Sequence, residues 1–391
     1  MTTPFRVFVV TGEASGDALG AQFVARLREV LGDRPLQLAG VGGEGLIAEG
    51  LHSAFPQEDI AVMGFGPVIA RLPLLLRRMS DAARAAVAFR PDLLLTIDAP
   101  DFGLRVAKQV RRLAPGIPIV HWVCPSVWAW RQGRARRMRP HVDRILALLP
   151  FEPAALARLG GPQTVYVGHP LIERLGAYRP QPEDEACRAD ADAPTVLLLP
   201  GSRRSEIRHL MPRFGEAAAL VADALPRARF VLPAVPRLVE EITALVADWR
   251  VKPDIVTGEA AKLAAFRRAR AALAASGTVT LELALAQVPT VAAYRGADWE
   301  VALARRLVKL PSVILPNLII QDNVVPEFIQ DAASPAALAQ ALLAAIGAGP
   351  ARERQLDGFA HVEAAMRSAG PSPAANAVDA ALALVSKPGD R

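Results

Sequence analysis

Two rhythms of apolar and polar positions alternate along this chain. Short runs rich in Val, Ile, Leu and Phe, closed by Gly, Pro or Asp, alternate with stretches that carry an apolar residue at every helical turn. In the first half the runs predict strands at Phe5–Thr11, Leu36–Ala39, Leu93–Ile97, Pro118–Val123 and Ile145–Leu149, with helices such as Ala18–Leu31 and Leu104–Leu113 between them. A polar, proline-containing stretch, Arg179–Pro194, interrupts the pattern, which then restarts. Strands follow at Thr195–Leu199, Arg229–Leu232, Asp254–Val256, Ala271–Ala274 and Thr290–Ala293. Alternation of this kind implies parallel sheets covered on both faces, here twice. The expected fold is α/β, two doubly wound domains, with ligands at the carboxyl ends of the strands. A length of 391 residues fits, because a single core stops growing at about 250–300 residues.

One segment departs from the simple pattern. Met63–Met79 sets Val68, Ile69, Leu72, Leu75, Leu76 and Met79 on one helical stripe beside Arg71, Arg77 and Arg78, with Pro73 expected to bend it. Packing on a core and lying at a lipid surface both fit such a stripe. Mean hydropathy is +0.24, yet no run predicts a membrane span. The charge-free run Ala332–Ala351 opens with Ser334-Pro335 and decays into Gly347 and Gly349, and Leu113–Trp130 holds three prolines. The N-terminus lacks a charged start and long apolar run, which predicts no export. Two distant cysteines, Cys124 and Cys187, fit no disulfide framework and suit a reducing cytoplasm. A net charge of +6 and pI of about 9.8 favour anionic partners without choosing among them.

Candidate chemistry gathers at predicted strand tips. The first strand runs into Gly12-Glu13-Ala14-Ser15-Gly16-Asp17 and then a helix, whose free N–H groups suit an anion or a sugar hydroxyl. Gly40-Val41-Gly42-Gly43-Glu44-Gly45 matches a dinucleotide fingerprint, but it follows the second strand, so an oxidoreductase is a minor alternative. Leu93–Ile97 delivers Asp98 and Asp101 to one tip. Asp101 suits a helix cap, which leaves Asp98 as the general-base candidate. The stretch 121–130 places Trp122, Trp128 and Trp130 with His121 and Ser126, a pattern that reads as the wall of a site for a ring or an acyl chain. The arginines from Arg131 to Arg139 read mostly as a solvated face, with one or two near a phosphate.

In the second half, Pro200-Gly201-Ser202-Arg203 and Ser276-Gly277-Thr278 each follow a strand and open a helix. Arginine on a glycine loop suits a diphosphate, and Glu282 can reach ribose hydroxyls. Asn317, Glu327 and Gln330 lie in an aperiodic stretch and suit hydrogen bonding in a cleft. Asp190-Ala191-Asp192 looks like a metal signature but falls in the polar interruption, so no metal ligands and no cofactor are expected. His169 reads as structural.

Taken in order, GEASGD (12–17), GVGG (40–43), IDAPDF (97–102), PSVWAWRQ (125–132), PFE (150–152), VGHPL (167–171), LLPGSR (198–203), SGTVTLE (276–282) and LPNLI (315–319) resemble the lipid A disaccharide synthase family. Gly103, Cys124 and Pro67 depart from the family's usual Asn, Ser and Glu. The resemblance implies a GT-B fold of two Rossmann-like domains facing a cleft: an acceptor domain over 1–180, a linker over 181–193 and a UDP-sugar domain over 194–365. The C-terminal helix, about 366–391, is expected to return to the first domain. It implies an inverting transfer from UDP-2,3-diacylglucosamine to 2,3-diacylglucosamine 1-phosphate with Asp98 as base. Arg203, Ser276, Gly277, Thr278, Glu282, Asn317 and Gln330 would serve the UDP-sugar, and Glu13, Ser15, Ser126, Trp128 and Arg131 the acceptor. The stripe from Val68 to Met79 would meet acyl chains or the cytoplasmic face of the inner membrane. A homodimer is the candidate assembly, and nucleic acid is no expected partner. Rival readings are a peptidoglycan-type transferase, a UDP-sugar epimerase and a non-enzymatic membrane-surface protein.

Overall fold

The computed structural model describes residues 3–60, 71–296 and 310–385. They form two units, Met1–His169 with Ser368–Arg391, and Pro170–Arg367.

The first unit is built on a parallel sheet of β1 (Phe5–Thr11), β2 (Leu36–Val41), β3 (His52–Ser53), β4 (Leu93–Ile97), β5 (Ile119–Trp122), β6 (Arg144–Ala147) and β7 (Gln163–Tyr166). Their spatial order is β3-β2-β1-β4-β5-β6-β7. Every residue of β4, LLLTI, is buried, because helices cover both faces of this central strand. Leu93, Leu95 and Ile97 join a core with Phe23, Val24 and Leu27 of the helix Ala14–Leu31, while Thr96 faces the other way. The helix Pro373–Leu382 belongs to this unit and adds Ala377 and Val378 to the same core. Asn376 ties it down by donating to the Val167 carbonyl at 2.9 Å.

The second unit repeats the plan with β8 (Thr195–Leu199), β9 (Arg229–Ala234), β10 (Asp254–Thr257), β11 (Ala271–Ala275), β12 (Thr290–Tyr294) and β13 (Glu327–Ile329), ordered β10-β9-β8-β11-β12-β13. The strand order reverses between β1 and β4 in one sheet and between β8 and β11 in the other. Chains leaving such a pair turn to opposite faces and open a crevice at the carboxyl ends, where doubly wound proteins hold ligands.

Two sequence expectations shift. The stretch 181–193 does not run free: Pro182–Ala189 is a helix of the second unit, where Asp184 meets Arg267 at 3.0 Å and Arg188 donates to the carbonyls of Ala286 and Gln287. Its polarity reflects these anchors, and the division between units falls at His169 and Pro170. The helix read as bent at Pro73 instead begins at Leu72, with Pro73 in its first turn, where the missing N–H has no partner to lose. Val68 and Ile69 lie outside the described residues. Among the described residues no helix is long and apolar enough to cross a membrane; the charge-free run near the C-terminus contains the 12-residue helix Pro335–Ile346.

Candidate active site

In the first unit the crevice between β1 and β4 is tight. A methyl added to Gly12 would lie 2.4 Å from the Ala99 Cβ, and one on Gly16 would lie 3.2 Å from the Ile97 carbonyl oxygen. Only glycine lets the two loops meet here. Asp98 and Ala99 take φ of 52° and 39°, left-handed values that a non-glycine residue adopts at a cost. The Asp98 N–H donates to the Trp122 carbonyl at 2.9 Å, which fixes the bend to β5. Ser15, in the first turn of the helix Ala14–Leu31, donates its hydroxyl to Asp98 Oδ2 at 3.3 Å. Glu13 is the N-cap of that helix. Glu13, Ser15 and Asp98 thus share the strand tips.

Asp101 does not cap the helix Pro100–Leu113, whose N-cap is Ala99. It is exposed and paired with Arg134 at 3.0 Å. Asp17 does capping work instead: buried, it accepts N–H bonds from Gly43 at 2.7 Å, Gly45 at 2.8 Å and Leu46 at 3.3 Å. The glycine-rich turn after β2 therefore holds a carboxylate of its own chain where a dinucleotide fingerprint would hold a pyrophosphate.

The tryptophan wall reduces to one ring. Trp122 is wholly buried against Phe23, and His121 is equally buried, with Nδ1 at 2.8 Å from Thr96 Oγ1. Burial, with Arg134 nearby, holds the His121 pKa at about 3, so it stays neutral. Trp128 turns inward, packs edge-on against Phe151 and donates to Glu152 Oε1 at 3.1 Å. Trp130 is 39% exposed; its indole N–H donates to the Ser126 hydroxyl at 3.3 Å, and the Arg131 guanidinium stacks over its ring at 4.4 Å. Glu152 escaped sequence reading as a site residue. Burial raises its pKa to about 7, against the hydrogen bonds from Leu149 and Trp128 that favour its charge.

The second unit holds a cavity of about 490 Å³ at the tips of β8 to β11, and Arg203, Ser276, Gly277, Thr278 and Glu282 all line it. Two helices begin there and differ. At Arg204–Ala224, Glu206 folds back and accepts from the N–H groups of Ser202 and Arg203 at 3.0 and 3.2 Å, while Arg203 Nη1 pairs with its other oxygen at 3.0 Å. Gly201, at φ +110°, has no room for a Cβ beside that carboxylate. The second helix, Thr278–Leu285, has Gly277 as N-cap and no side-chain cap among the described residues, and its first residues, Thr278 and Val279, line the cavity. Glu282 is ion-paired with Lys262, a cavity residue that the sequence reading did not single out.

Asn317 and Gln330 do not line this cavity. Asn317 is buried and exchanges bonds of 2.9 Å with both backbone groups of Val325, and Gln330 bonds both backbone groups of Gly296 at 2.9 and 3.2 Å. Glu327 accepts from Ser312 Oγ at 2.9 Å. Asp190 closes its own turn by accepting from Asp192 and Ala193, each at 2.9 Å. Among the described residues no group of three His, Cys, Asp or Glu could hold a metal ion. The apolar stripe divides on the helix Leu72–Phe89: Leu75 and Met79 are buried, whereas Leu72 and Leu76 are 43% and 46% exposed.

Known proteins fit this arrangement. The lipid-A-disaccharide synthetase family model matches residues 7–380. Lipid-A-disaccharide synthase of Nitrobacter winogradskyi is 50% identical over 96% of this chain and 94% of its own length. That of Rhodospirillum centenum is 40% identical over 98% and 96%. Among solved structures, MurG of Acinetobacter baumannii superposes with a TM-score of 0.58 at 16% identity, covering 97% of this chain and 100% of that one. A putative UDP-N-acetylglucosamine 2-epimerase of Listeria monocytogenes gives 0.60 at 14%, covering 97% and 95%. Those two likenesses show the GT-B fold alone and do not favour a peptidoglycan-type transferase or an epimerase. The chain belongs to the lipid-A-disaccharide synthetase family, glycosyltransferases built on the GT-B fold.

Proposed function

We propose that the chain joins UDP-2,3-diacylglucosamine to 2,3-diacylglucosamine 1-phosphate, with Asp98 as general base. Asp98 Oδ takes the proton of the acceptor's 6-hydroxyl as that oxygen attacks the anomeric carbon of the donor. The bond to the UDP oxygen breaks with inversion, giving a β(1→6) disaccharide 1-phosphate and UDP. The charge left on the diphosphate is met by the uncapped N–H groups at Thr278 and by Arg203, which exchanges Glu206 for phosphate oxygens. Glu282, paired with Lys262 in the lining of the same cavity, meets the ribose hydroxyls. The observation that carries this reading is the pair of order-reversal crevices, one bearing a strained carboxylate and the other an anion-ready helix start. Exposed Leu72 and Leu76 beside Arg71 and Arg77 support contact with the cytoplasmic face of the inner membrane.

The reading is tested by UDP release. UDP should appear only when donor and acceptor are both present; release or epimer formation from donor alone would favour the epimerase reading.

A further inference from the structure

The first unit carries a second concavity that the strand-tip chemistry does not use. It is an open groove of about 840 Å³ between the helices Pro100–Leu113 and Gly133–Met138. Its floor is apolar, with Leu104, Met138 and Val142 all buried. Its rim is cationic, carrying exposed Arg105, Lys108, Arg131 and Arg137 together with half-buried Arg134. Among the described residues Asp101 is the one carboxylate lining it, and Arg134 already holds it at 3.0 Å. Arg105, Lys108 and Arg137 have no ion pair among the described residues, whereas Arg111, one turn beyond Lys108, is paired with Asp143. His141, also in the lining, is held below its usual pKa first by burial and then by the charges of Lys108 and Arg111.

Cations crowded around an apolar floor repel one another and focus their field on whatever anion enters. Arginine forks suit phosphate oxygens. The groove starts at Asp101, in the turn that follows Asp98, and runs about 10 Å along the helix to Lys108 by helical rise. We propose that this groove is the subsite for the acceptor's phosphate ester, with Arg105, Lys108 and Arg137 as its ligands. The inference rests on the acceptor assigned above. In that molecule the anomeric phosphate and the 6-hydroxyl lie at opposite ends of one sugar ring. Phosphate held on the rim therefore directs the hydroxyl toward Asp98, and the apolar floor suits an acyl chain.

The test is equilibrium binding of 2,3-diacylglucosamine 1-phosphate and of its dephosphorylated twin to the full chain, without donor. Wild type should prefer the phosphorylated form by at least ~10-fold, and Arg105→Gln/Lys108→Gln should bind both alike. Arg105→Lys/Lys108→Arg, which keeps the charge, should retain most of the preference. These side chains are exposed, and an unchanged melting temperature checks that the variants fold. No preference in wild type, or a preference that survives the Gln variant, overturns the proposal. So does a Gln variant that keeps the preference but loses binding to phosphatidylglycerol vesicles, since the phosphate served would then be the bilayer's. Turnover, measured separately, distinguishes the two readings: a wild type that prefers the phosphorylated acceptor yet forms no disaccharide leaves the groove standing and removes the reaction.

Discussion

Asp98 and Ala99 hold consecutive left-handed conformations that ordinary side chains avoid, at the point where the loops after β1 and β4 meet. Strain of this kind persists where the surrounding structure over-determines it, and it clusters at functional sites. Asp98→Asn keeps the shape and the hydrogen bond from Ser15 but removes the base. Turnover should fall by at least ~10² with donor binding nearly intact; a near-wild-type rate would remove Asp98 from that role. Glu152 gives a separate test through stability. Its pKa rises from 4.5 to about 7 on folding, so between those values the native state binds more protons than the unfolded chain. Its contribution is fully present below pH 4.5 and is lost as pH rises through 7, by roughly 3 kcal/mol at most. His121 has the opposite sign, because burial lowers its pKa from 6.5 to about 3. The informative quantity is therefore the stability of wild type minus that of Glu152→Gln, from denaturant unfolding across this range. It should decrease as pH rises, and a flat difference would show that Glu152 is ionised throughout.

At the scale of elements, the helix Leu72–Phe89 separates two roles that the sequence stripe had merged. Leu75→Ser should lower the melting temperature, since it places a hydroxyl in the core. Leu72→Ser/Leu76→Ser should leave melting nearly unchanged and weaken vesicle binding. Equal vesicle binding by that variant would end the membrane assignment of this face. The helix start at Gly277 allows a similar separation. A methyl there meets no atom within 4 Å, so Gly277→Ala should weaken UDP binding, read by calorimetry, with little loss of stability. Asn317→Ala should do the reverse, losing about 1–3 kcal/mol of stability through unpaired Val325 groups while UDP binding holds. The interior strands were legible because parallel strands buried on both faces read as unbroken apolar runs, LLLTI and TVLLL among them. Edge strands β3, β7 and β13, reading HS, QTVY and EFI, are short and only partly buried, and left no such trace. The cavity residues Arg203 and Ser276–Thr278 were legible because they follow strands directly. Inward-turned Trp128, and the bonds that tie Asn317 and Gln330 to distant backbone, depend on packing that sequence spacing does not encode.

For the whole molecule, each unit independently places chemistry at its own order reversal: a carboxylate with Ser15 and Glu13 in the first, an uncapped helix start with Arg203 and Glu282 in the second. A sugar transfer needs these two halves, since one proton must leave the acceptor as one diphosphate leaves the donor. The measurement that tests this most directly is mass spectrometry with linkage analysis of the lipid formed from UDP-2,3-diacylglucosamine and 2,3-diacylglucosamine 1-phosphate. One product is expected, whose mass is the acceptor plus one diacylglucosaminyl unit, joined β(1→6) and still carrying the phosphate. A product with an α linkage, or unchanged acceptor beside an epimerised UDP-sugar, would contradict it.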